Sequence, residues 1–128
     1  MPTNPQLLSA TTLIGDGVRN RQDEDLGKIE DFMIDTNDGR VIYAVLSFGG
    51  FMGMGDKLFA VPMDALQLDT ANKCFVLDKS KEALKDAPGF DKDNWPDTAS
   101  SAWRDQIHSY YGVEHRVSRE PAGMTSGR

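Results

Sequence analysis

Cysteine is nearly absent from this chain: Cys74 is the single one among 128 residues. No intrachain disulfide can form, and the apolar run "CFVLD" around it points to burial rather than to reactivity. Histidine is almost as scarce. His108 and His115 both fall late in the chain, neither beside an obvious nucleophile, and no His or Cys spacing fits a zinc site. Positive charge is in short supply too, with 14 Lys and Arg against 20 Asp and Glu and a formal net charge of −6. Proteins that wrap nucleic acid neutralise phosphates with clustered Lys and Arg, so nucleic acid and anionic membrane surfaces are disfavoured partners. The pairs Arg19 with Arg21 and Arg116 with Arg119 are short and interrupted, which is the pattern of solvated surface. No hydrophobic run approaches the roughly 20 residues of a membrane span. The start "MPTNPQLLSATT" has neither a basic end nor an apolar signal core. A cytoplasmic protein without a membrane span is the expectation.

What is present fits one compact domain with tails. Hydrophobic residues make up 39% and charged residues 27%, ordinary values for a globular protein. From about Val18 to Leu77, short β-branched or aromatic runs alternate with turn clusters, the grammar of a small all-β unit. "TNDG" at Thr36–Gly39 predicts a hairpin, because Gly39 supplies the positive φ of a tight turn. "DTANK" at Asp69–Lys73 predicts a second turn of this kind. "SKEALKDAP" reads as a short helix with Ser80 as its N-cap and Pro88 as its stop. A second helix is predicted from about Thr98 to Tyr111, capped by Asp97 or Thr98 and ended by Gly112. It carries an apolar stripe of Trp103, Ile107 and Tyr110 or Tyr111. The expected organisation is therefore a barrel domain over 1–96, a C-terminal amphipathic helix over 97–112 and a tail over 113–128.

In "VIYAVLSF" both alternating sets are apolar, Val41, Tyr43 and Val45 on one side and Ile42, Ala44, Leu46 and Phe48 on the other. A closed barrel covers only its inner face, so the Trp103 helix or a second subunit must cover the outer one. In "KIEDFMID" the alternation changes phase between Ile29 and Phe32, which predicts a bulge.

The stretch "SFGGFMGMGDKLFAVP", Ser47 to Pro62, looks at first like a phosphate loop. Gly50 and Gly55 have the four-residue gap of a P-loop, but Asp56, Lys57 and Leu58 follow where Lys and a hydroxyl residue are required. Phosphate loops also open helices, whereas "LFAVP" reads as a strand. The dinucleotide pattern fails at Leu58, which would have to be glycine. Gly49, Gly50, Gly53 and Gly55 instead allow a tight flap between two strands, with Phe51, Met52 and Met54 as its apolar surface. The acids Asp23–Asp25 and Asp91, Asp93 and Asp97 read as solvated loops that leave weak cation binding open. "DTNDGR" fails the calcium-loop template, since Gly39 comes one place early and Leu46 stands at the position of the bidentate acid.

"LGKIEDFMID", "DGRVIYAVLSFGGFMGMGDKLFAVPMDAL" and the distal Trp103, Ile107 and Ser109–Gly112 together resemble the PRC-barrel family. The family is named after the cytoplasmic domain of the photosynthetic reaction centre H subunit. The resemblance covers about Leu8 to Pro88, plus a C-terminal helix seen in stand-alone members. It implies a mainly β fold, a small barrel with a short helix after it and a C-terminal helix, in which the glycine flap is a structural signature. Relatives of this kind influence proton and electron transfer in the reaction centre, or contact protein and RNA partners in a ribosome maturation factor. The shared motif is glycine, proline and apolar residues, so it carries over no catalytic residue, cofactor or metal ligand. The expected function is non-enzymatic protein association as a homodimer that buries the outer barrel face or the Trp103 helix, with Phe51, Met52, Met54, Trp103, Ile107, Tyr110 and Tyr111 as the candidate surface. Two alternatives stand beside it: a ligand-binding barrel lidded by the flap over Phe48, Phe51, Met52 and Met54, and an RNA-associated accessory role.

Overall fold

The computed structural model describes residues 7–48, 57–91 and 93–113. A single helical turn, α1 (Ala10–Leu13), opens them, with Ser9 capping its first turn. The strands β1 (Gly17–Arg19), β2 (Asp25–Asp35), β3 (Arg40–Phe48), β4 (Lys57–Pro62), β5 (Leu66–Asp69) and β6 (Cys74–Leu77) form one sheet in the order β4-β3-β2-β1-β6-β5. The sheet is curled into a half-barrel. All pairings are antiparallel except β1 with β6. A 3-10 turn, Met63–Ala65, joins β4 to β5.

The two predicted turns are present. Gly39 adopts φ 73° between β2 and β3. Lys73, at φ 54°, takes the left-handed place between β5 and β6. The phase change in β2 is a register shift between Ile29 and Asp31, and a second shift follows between Met33 and Ile34. Each moves the next side chain to the other face, which keeps Ile29 buried and turns Phe32 toward Phe75, their rings 6.5 Å apart.

Helix α2 (Lys81–Lys85) has the predicted Ser80 cap, whose hydroxyl accepts the Ala83 N–H. Helix α3 spans Ser101–Tyr111 and ends at Gly112 with φ 72°. Its start lies later than the Thr98 of the sequence reading. Asp97 is spent on the preceding turn, where its carboxylate accepts the Ala99 N–H and its carbonyl the Ser100 N–H. Ser100 then caps the helix by accepting the Trp103 N–H.

The core is one cluster in which Phe59, Phe75, Leu26, Ile29, Leu46, Leu77, Leu84 and Ile107 are all but inaccessible. Each such side chain gains roughly 1.5–3 kcal/mol over exposure. Every residue from Tyr43 to Phe48 is buried, so β3 is covered on both faces. The outer cover is supplied by the chain itself: α3 packs along β4 and sets Trp103 and His108 on Tyr43.

Candidate functional site

The contact between α3 and β3 joins a buried tyrosine to a buried histidine. Tyr43 points from β3 toward α3, where its hydroxyl lies 2.9 Å from His108 Nε2 in a buried hydrogen bond. The Tyr43 ring meets Trp103 and His108 edge-on, with both centroid separations 5.4 Å. Burial pushes the Tyr43 hydroxyl up to about 12, opposed by Arg104 and reinforced by Asp105. Tyr111, on the same helix, is raised well above the ordinary tyrosine value by burial and by Tyr110 beside it. A small cleft of about 30 Å³ lies next to His108, lined by Arg40, Ile42, Met63 and Asp64.

The sequence reading did not single out this pair. His108 follows Ile107 directly and sits one helical turn after Arg104, and Tyr43 belongs to the doubly apolar strand. Both positions flank the stripe that was recognised, but only the docking of α3 brings them together.

The candidate surface residues divide into three groups. Phe51, Met52 and Met54, with the flap glycines Gly49, Gly50, Gly53 and Gly55, lie outside the described residues. Ile107 and Tyr111 are 1% and 7% exposed, spent on the chain's own core, so they offer no surface to a partner. Helix burial in cis is the reason: the stripe expected to seek cover finds it on β3 and β4. Trp103 and Tyr110 are half-buried against that core, and the Tyr110 hydroxyl donates to the Ala83 carbonyl of α2.

Strands β3 and β4 pair as far as Phe48, which stands opposite Lys57. At this end of the barrel three lysines lie over aromatic rings. Lys57 is 5.3 Å from the Phe59 ring, Lys81 6.0 Å from Phe48, and Lys79 4.9 Å from Tyr110. Phe48 itself is buried and packs on Phe59 at 6.4 Å.

Beyond the barrel, Phe90 closes the outer edge of β4 by exchanging both backbone hydrogen bonds with Leu58, at 2.8 and 2.9 Å. Gly89 makes this approach feasible, since a Cβ there would stand 2.7 Å from the Lys57 side chain and 3.0 Å from the Leu58 oxygen. Trp95 rests on Phe90 with ring centroids 5.0 Å apart and is 44% exposed.

Near β1, Asn20 is buried and ties three segments together. Its carbonyl accepts the Gln22 and Glu24 N–H groups, and its amide donates to Glu24 and to the Lys79 carbonyl. Glu24 also accepts the Lys81 N–H at the start of α2. The Asn20 hydrogen bond, then that of Lys81, hold the Glu24 carboxyl below its usual range. Cys74 is buried, as its surroundings in the sequence indicated. Among the described residues, no three His, Cys, Asp or Glu gather in a way that could hold a metal ion.

A curled half-barrel of six strands, with a short helix and a C-terminal helix packed against it, defines a small β-barrel module. The PRC-barrel domain model matches residues 5–84, and the chain belongs to that family. No curated protein matches the sequence. The matched region ends within α2, so Tyr43 falls inside it while α3, with His108, lies beyond it. No helix among the described residues is long and apolar enough to cross a membrane.

Proposed function

We propose that this PRC-barrel protein is a non-enzymatic cytoplasmic module that works by protein association, with a second copy of itself as its first partner. The observation that carries this reading is what stays in solvent after α3 has packed. Ile34 is 58% exposed, Trp95 44% and Leu68 40%, although the chain had its own helix available to cover apolar surface. Each offers apolar area that contact with another protein would remove from water. Two clefts among the described residues, both away from the stretch 49–56, do not suit a small ligand. A ligand pocket typically offers several hundred Å³ with a largely apolar lining. The cleft beside His108 has about 30 Å³, and one beside β5, about 230 Å³, mixes the charged or polar Arg21, Asp64, Gln67 and Asp78 with Ala65, Leu66 and Val76.

The test is light scattering after size exclusion on the full chain, from low to high micromolar concentration. The expected result is a mass that climbs from the 14.1 kDa of the monomer toward twice that value. A mass that stays at the monomer value throughout the series would sink the self-association reading.

A further inference from the structure

We draw no further inference here: the strongest candidate, the end of the barrel where Lys57, Lys79 and Lys81 lie over the rings of Phe59, Tyr110 and Phe48, carries none, because nothing in the structure shows what covers it and the net charge of −6 opposes the acidic partner that three lysines would call for.

Discussion

At Gly27, β2 passes so close to β3 that an added Cβ would stand 2.1 Å from the Ser47 carbonyl oxygen, at a backbone φ of 117°. Both terms oppose a side chain: the oxygen belongs to a paired strand and cannot retreat, and the φ lies where L residues are strained. Gly27→Ala is expected to cost roughly 2–4 kcal/mol, the sum of an overpacking and a backbone term. Gly39→Ala is the internal comparison. Its φ of 73° is strained as well, but nothing lies within 4 Å of the added carbon, so only the left-handed cost of about 1–2 kcal/mol applies. Urea unfolding of both variants measures the difference, and equal losses would show that the contact with Ser47 gives way without cost. The two glycines also differ in how readable they are. Gly39 follows Asp38 in a polar cluster between two apolar runs, a local signal that needs no partner. Gly27 sits inside a run that reads as strand, and its requirement is set by β3, twenty residues further on.

The elements were legible where local chemistry defines them. The Ser80 cap, the Gly39 turn, the Gly112 stop and the phase change in β2 each depend on a few neighbouring residues. The start of α3 was misplaced because three candidate caps, Asp97, Thr98 and Ser100, stand close together, and only the turn made by Asp97 decides among them. The destination of α3 was open for a different reason. An amphipathic stripe says that a helix must be buried and leaves unsaid whether its own chain or a second one does it. With Ile107 inaccessible in the core, α3 is part of the fold rather than an appendage. Ile107→Ala is expected to cost about 2–5 kcal/mol, against less than roughly 0.5 kcal/mol for the exposed Gln106→Ala next to it. Equilibrium denaturation of a Trp95→Phe background, in which fluorescence reports Trp103, followed by that fluorescence and by circular dichroism, should then give coincident transitions. A helix that unfolds in a separate, earlier step would show that the Tyr43 contact is only loosely coupled to the barrel.

For the molecule as a whole, the protonation of a few groups sets the limits of stability. On the acid side, Glu24 and Asp69 both have lowered values, Glu24 through Asn20 and Lys81, Asp69 through Asn72. A depressed carboxylate stabilises the fold above its unfolded value and loses that contribution as pH falls through the folded one. On the alkaline side the sign reverses. The folded chain keeps the Tyr43 proton up to about 12, while the unfolded chain releases it near the ordinary value of 10.0. Between these limits the native state binds more protons than the unfolded state, so stability is full below pH 10 and declines as pH rises through about 12. Tyr43→Phe cannot ionise, and it also leaves His108 without the hydroxyl. It is therefore expected to be less stable at neutral pH by roughly 1 kcal/mol, yet to lose less stability between pH 10 and 12. Denaturation midpoints measured across that window decide the matter: curves for the parent and Tyr43→Phe that stay parallel would mean that Tyr43 is not a group whose proton the packing of α3 retains, whereas convergence would show that the Tyr43–His108 contact contributes to the alkaline limit of the fold, beside the likewise raised Tyr111 of the same helix.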